Sequence, residues 1–132
     1  MVKAERLYWM HVPPPRPVLI VEDDADLREM MAQLLTLEGY QIETVANGRE
    51  ALEYLNDAPR PDVILLDLMM PIMNGWQFRS AQKEDPALAA IPVVVISAAV
   101  PDHAPPIDAN AYMRKPLDLD RLLTTVRTFC RA

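Results

Sequence analysis

At 132 residues, 51% of them hydrophobic and only one a cysteine, the chain suits one compact domain that needs neither disulfides nor a structural metal. A net charge of −6, from 13 Lys and Arg against 19 Asp and Glu, excludes a nucleic-acid surface, which needs clustered cations. No apolar run is long enough for a membrane span and none forms a signal-peptide core, so the expected compartment is a reducing cytoplasm, with Cys130 a small apolar residue of the last helix.

Residues 1–16 lead into Pro13, Pro14, Pro15 and Pro17, and read as a flexible arm carrying Tyr8, Trp9 and His11 ahead of a domain at 17–132. Val18 to Val21 is short and apolar, as a strand buried on both faces should be. Asp24 is positioned to cap the helix that follows, whose Leu27, Met30, Met31, Leu34 and Leu35 recur at helical spacing before Gly39 closes it. Gln41 to Val45 reads as a second strand. Asn47 with Glu50 then forms a capping box for a helix bearing Ala51, Leu52 and Leu55, which Pro59 and Pro61 end.

Asp62 to Leu66 is the third expected strand, Gly75 to about Lys83 a short helix, and Pro92 to Ile96 a fourth strand that is nearly all β-branched. A brief fifth strand spans Ala111 to Met113. Asp118 caps a final helix whose Leu119, Leu122, Leu123, Val126 and Phe129 share one face. Between Ser97 and Lys115 the chain carries Pro101, Pro105 and Pro106, so a helix between the fourth and fifth strands is expected to be short or missing. His103 falls in this segment and is expected to be exposed.

Alternating strands and helices with apolar strands imply an α/β fold: a doubly wound, five-stranded parallel sheet of order 2-1-3-4-5, flavodoxin-like in plan. That order sets strands 1 and 3 side by side and opens a crevice at their carboxyl ends. Glu22, Asp23 and Asp67 all fall there, with Ser97 at the end of strand 4 and Lys115 after strand 5. Two unpaired carboxylates about 4 Å apart repel by roughly 4 kcal/mol at an effective dielectric near 20, so three gathered together call for a cation. Oxygen ligands favour a hard ion such as Mg²⁺.

Four segments carry a resemblance: Val18-Leu19-Ile20-Val21-Glu22-Asp23-Asp24, Asp67-Leu68-Met69-Met70-Pro71-Ile72-Met73-Asn74-Gly75, Val93-Val94-Val95-Ile96-Ser97-Ala98 and Tyr112-Met113-Arg114-Lys115-Pro116. Together they resemble the receiver domain of bacterial two-component response regulators, chemotaxis regulators among them, from about Val18 to the C-terminus. The resemblance implies that Asp67 is the phosphoacceptor, and that Glu22, Asp23, Asp67 and the Met69 backbone carbonyl hold Mg²⁺. It further implies that Lys115, aimed inward by a cis Lys115-Pro116 peptide, pairs with Asp67 and then with phosphoryl oxygen, and that Ser97 hydrogen-bonds the phosphoryl group. Tyr112 matches the family's switch aromatic. Glu22 departs from the more frequent aspartate. The Met69, Met70 and Met73 side chains read as loop packing.

The partners implied are a sensor histidine kinase or histidine phosphotransfer protein upstream and a target protein downstream, for a signalling protein that is an enzyme only in its own phosphoryl transfer and loss. The chain reads as a stand-alone receiver, or as a fragment of a longer regulator or hybrid kinase. A phosphorylation-independent interaction module with this fold is the alternative. A haloacid-dehalogenase-type phosphatase is disfavoured, because it needs an acid where Met69 stands.

Overall fold

The computed structural model describes residues 16–98 and 103–130, so all of the expected N-terminal arm but Arg16 lies outside the described residues. The elements run β1 (Val18–Val21), α1 (Ala25–Leu37), β2 (Ile42–Val45), α2 (Gly48–Asp57), β3 (Val63–Leu66), α3 (Gly75–Glu84), β4 (Val93–Ser97), β5 (Ala111–Arg114) and α4 (Leu119–Phe129). Their order and types are those the sequence predicts. The sheet is parallel throughout, in the order β2-β1-β3-β4-β5.

Strand side chains alternate between two buried layers, which is why the strands are apolar without a break. On one face, Leu19, Val21, Ile64, Leu66, Val93 and Val95 pack with Ala51 and Leu55 of α2 and Phe78 of α3. On the other, Val18, Ile20, Val63, Leu65, Val94 and Ile96 meet Met31 and Leu35 of α1 and Leu122 and Val126 of α4. Each central strand is therefore committed to its register, since a slip of one residue would swap the layers.

Side-chain caps begin all four helices of the described residues. Asp24 accepts from the amides of Asp26 and Leu27, and Asp118 from that of Arg121. Asn47 accepts from the Glu50 amide, but the Glu50 carboxylate reaches the Ala46 amide, one residue before the cap, so the box expected there is displaced by one position. A complete capping box instead opens α3, where Asn74 and Gln77 serve each other's amides. The N-x-x-Q spacing could have announced it. Helix α1 ends at Leu37, and Gly39 takes the positive φ of 95° that turns the chain toward β2.

No helix occurs among the described residues between β4 and β5. Residues 103–110 instead form an irregular strap laid against α3 and the start of β4. Trp76 Nε1 donates to the Pro105 carbonyl at 2.8 Å and Arg79 Nε to the Asp108 carbonyl at 2.8 Å, while Lys83 Nζ pairs with Asp108 Oδ2 at 2.9 Å. The Asn110 amide donates to the Val93 carbonyl, and the Val93 amide to Asn110 Oδ1. Ile107 and Ala109 pack against the α2/α3 layer, so the strap supplies apolar cover that proline bars a helix from giving.

Candidate functional site

The ladder itself carries the site residues to one edge. Past the last residues of β1 and β3, the amides of Glu22 and Asp67 still donate to the carbonyls of Val45 and Val21, and the Lys115 amide donates to that of Ser97. Each of these α-carbons is thus fixed by the sheet. Glu22 is held further: Arg28 Nη1 donates to its carbonyl at 2.8 Å, and its own Oε2 accepts from the Asp24 amide at 3.1 Å.

Ligand oxygens of Glu22, Asp23 and Asp67 lie within 4.8 Å of one another. Glu22 and Asp67 are buried, at 1% and 4% exposure, whereas Asp23 faces solvent. Lys115 Nζ stands 2.7 Å from Glu22 Oε1 and 3.6 Å from Asp67 Oδ1. Lys115 therefore pairs with Asp67, as the resemblance implies for the resting state, and approaches Glu22 more closely still. The extra methylene of glutamate carries its carboxylate out to the ammonium. At 2.7 Å the Lys115 ammonium is the charged partner of this buried Glu22 oxygen.

One ammonium faces three carboxylates, and the imbalance shows at Asp67. Burial, followed by the charge and proximity of Glu22, pushes its carboxyl up to about 7 against the opposing pull of Lys115. Burial draws Lys115 down, but its contacts with Glu22 and Asp67 outweigh that and raise its pKa overall. An all-oxygen donor set and an excess of negative charge fit a hard divalent cation. Among the described residues no other cluster of acidic, His or Cys side chains has this geometry.

Ser97 closes the site on the β4 side. Its Oγ is buried and has no hydrogen-bond partner, leaving a free donor at the mouth of the crevice. The Lys115-Pro116 peptide is cis, as the resemblance implies. The Tyr112 hydroxyl is engaged elsewhere: Tyr112 is 49% exposed, and its hydroxyl donates to the Ile107 carbonyl and accepts from the Ala109 amide.

The loop after Asp67 rests on Gly75, where a Cβ would stand 2.6 Å from the Asp67 carbonyl oxygen and 2.8 Å from Leu68 Cα. Gly75→Ala is expected to cost about 1–3 kcal/mol and to loosen the Asp67 backbone. Urea unfolding checks this, and an unchanged midpoint would show that the loop yields freely. Met70 and Met73 pack as expected, but the Met69 side chain is 51% exposed, so its packing role is not seen. Ile72 holds a φ of 69°, unusual for a β-branched residue, and is exposed beside the site. His103 is exposed.

The response regulator receiver domain family matches residues 18–127. Response regulator MprA of Mycolicibacterium vanbaalenii is 34% identical over 125 residues, covering 89% of this chain and 51% of that protein. The chain thus spans about half the length of the curated relatives it matches. Among solved structures, the signal receiver domain of a signal transduction histidine kinase from Syntrophus aciditrophicus superposes with a TM-score of 0.78 at 31% identity, covering 86% of this chain and 89% of that one. The phosphorylated cyanobacterial phytochrome response regulator RcpA gives 0.69 at 30% identity, over 86% of this chain and 90% of that one.

Proposed function

The chain belongs to the response regulator receiver domain family, and from that premise we propose that it accepts a phosphoryl group on Asp67 from a phosphohistidine donor and alters a partner-binding surface in response. The observation that carries this reading is a buried carboxylate at a strand end, raised to about 7 and set among Glu22, Asp23, Lys115 and a Ser97 hydroxyl with no partner. An Asp67 oxygen attacks phosphorus as the phosphorus–nitrogen bond of the donor breaks, and the bonding pair leaves on the imidazole nitrogen. Lys115 Nζ is near enough to Asp67 to turn from Glu22 to a phosphoryl oxygen. Ser97 Oγ donates to a second oxygen.

Glu22, Asp23, Asp67 and the Met69 carbonyl are the residues that would hold Mg²⁺, which when bound offsets negative charge on the phosphoryl oxygens. A sensor histidine kinase or histidine phosphotransfer protein is the donor, and a downstream protein is the target. No helix among the described residues is long and apolar enough to cross a membrane, and a net charge of −6 disfavours a nucleic-acid surface. MprA is a response regulator and SphR of Synechococcus elongatus, 32% identical over 131 residues, an alkaline phosphatase synthesis transcriptional regulatory protein, so an output domain elsewhere in a longer protein would be a route to DNA.

The test is intact mass after incubation with acetyl phosphate. A Mg²⁺-dependent gain of about 80 Da that is lost in Asp67→Ala is the expected result. A gain retained by Asp67→Ala would place the acceptor elsewhere. No gain, together with no response to beryllofluoride, would favour a phosphorylation-independent module, for which the strap bound to α3 is the supporting observation.

A further inference from the structure

Met31 and Leu35 bury one side of α1 on the sheet, and on the side turned from them Glu29, Ala32, Gln33, Thr36 and Leu37 line a hollow of about 430 Å³. Leu37 is 85% exposed. Gln33 Nε2 donates to Glu29 Oε1 at 3.0 Å, so these two polar ends satisfy each other and leave Ala32, Thr36 and Leu37 as an apolar floor. A helix is convex toward solvent, so a hollow on one of its sides needs a second wall. No other described residue lines it.

The chain enters the fold beside this hollow. The Asp62 amide donates to the Pro17 carbonyl and the Val18 amide to the Gln41 carbonyl, which fixes Pro17 at the amino edge of the sheet. Val18 pairs with Ile42, and a short turn joins Ile42 to Leu37, so α1 ends at the same edge. A Pro-Pro-Pro-Arg run such as 13–16 spans about 12 Å when extended, and the rise from Glu29 to Leu37 is about 12 Å. Residue 12 can therefore reach the floor. Leu7-Tyr8-Trp9-Met10-His11-Val12 is apolar and carries two aromatic rings, while Lys3 and Arg6 outnumber Glu5. The exposed Asp26 and Glu29 give the outer side of α1 the opposite sign. Of the other undescribed residues, 131–132 are too few to form a wall, and 99–102 follow Ala98 at the carboxyl edge of β4.

We propose that residues 7–12 of this chain are the occupant of the α1 hollow, with Trp9 as the anchor. A short tether holds them at an effective concentration on the order of 1 mM, so an intrinsic Kd of about 0.1 mM keeps them docked about ten to one. A partner that seeks this side of α1 must displace them first. The proposal is independent of the chemistry at Asp67.

The test is acrylamide quenching of Trp9 in the full chain, taken as the difference between the wild type and Trp9→Phe, so that Trp76 cancels. Leu37→Glu leaves the fold intact, because Leu37 packs on nothing described and glutamate is a good helix former. The expected result is quenching about three- to tenfold weaker in the wild type than in Leu37→Glu. Leu119→Glu, at an exposed leucine of α4, should leave Trp9 shielded, and the shielding should be the same at about 5 and 200 μM protein because a tethered contact does not depend on concentration. Trp9 quenched as readily in the wild type as in Leu37→Glu would overturn the proposal. Shielding that survives Leu37→Glu would seat the segment elsewhere, and shielding lost on dilution would make the occupant a second copy; either result also overturns it.

Discussion

In buffer free of divalent cations at pH 8, Asp67→Asn is expected to melt about 5 °C above the wild type, and the gap is expected to close by about pH 4. The Asp67 carboxyl is raised to about 7 by burial and by Glu22, against about 3.9 in an unfolded chain. Between those two values the folded state binds the extra proton, so stability falls as pH rises through this window and stays low above it. A rise of about three pH units sets a ceiling near 4 kcal/mol. Sharing of that charge with Glu22 and Lys115, and the residual cost of burying an amide, bring the expected gain to about 1–2 kcal/mol.

Asparagine keeps the shape and removes the charge, so the difference between the two melting curves isolates the carboxylate. Circular dichroism melts at pH 4, 6 and 8 measure it. A gap that is the same at all three values would assign the effect to packing and not to charge. Mg²⁺ should narrow the gap at pH 8 by stabilising the wild type more than the variant, in proportion to the logarithm of its concentration over its Kd.

The sequence makes the fold and the site visible to different depths, for physical reasons. Strands β1, β3 and β4 were legible because burial on both faces forces unbroken apolar runs. Asp67, Glu22 and Asp23 were legible because strand ends at a topological switch point are where such a sheet can expose polar groups together. The preference of Lys115 for Glu22 was not: it depends on where one methylene puts a carboxylate, which spacing along the chain does not encode.

The strap illustrates the same limit. Pro105 and Pro106 announced that a helix would fail there, but not what would replace it. Arg79 and Asp108 meet across 29 positions, and Arg79 Nη1 also donates to Gln82 Oε1. Gln82 Nε2 in turn donates to the carbonyls of Leu88 and Ile91. Read singly, Arg79 and Gln82 are polar residues of a short amphipathic helix. In the fold they are buried and satisfy backbone carbonyls that the irregular chain on either side of β4 would otherwise leave unpaired.

Lys115→Ala is the change expected to disturb the site most. Removing one partner of a buried pair costs about 3–5 kcal/mol in general. Because the Lys115 side chain keeps 22% exposure, the lower figure of about 2–3 kcal/mol is expected at pH 8 in divalent-free buffer. The loss has a sign that pH can test. Lys115 is the one influence lowering the Asp67 pKa, so without it that pKa climbs above about 7, and the fall in stability extends to higher pH than in the wild type. At pH 4, where folded Asp67 is protonated in wild type and variant alike, the part of the deficit that comes from Asp67 should be largely gone. Mg²⁺ should restore stability at pH 8, and the variant should bind it more tightly than the wild type, since three carboxylates then face the cation with no competing ammonium. Phosphoryl uptake is measured on the same variant, whose partner-binding surface should respond less per phosphoryl group bound, because the side chain that would follow the phosphoryl oxygen is missing. If Lys115→Ala instead melts with the wild type at pH 8 and titrates with Mg²⁺ identically, its ion pairs are of the weak surface kind and contribute nothing to the charge balance around Asp67.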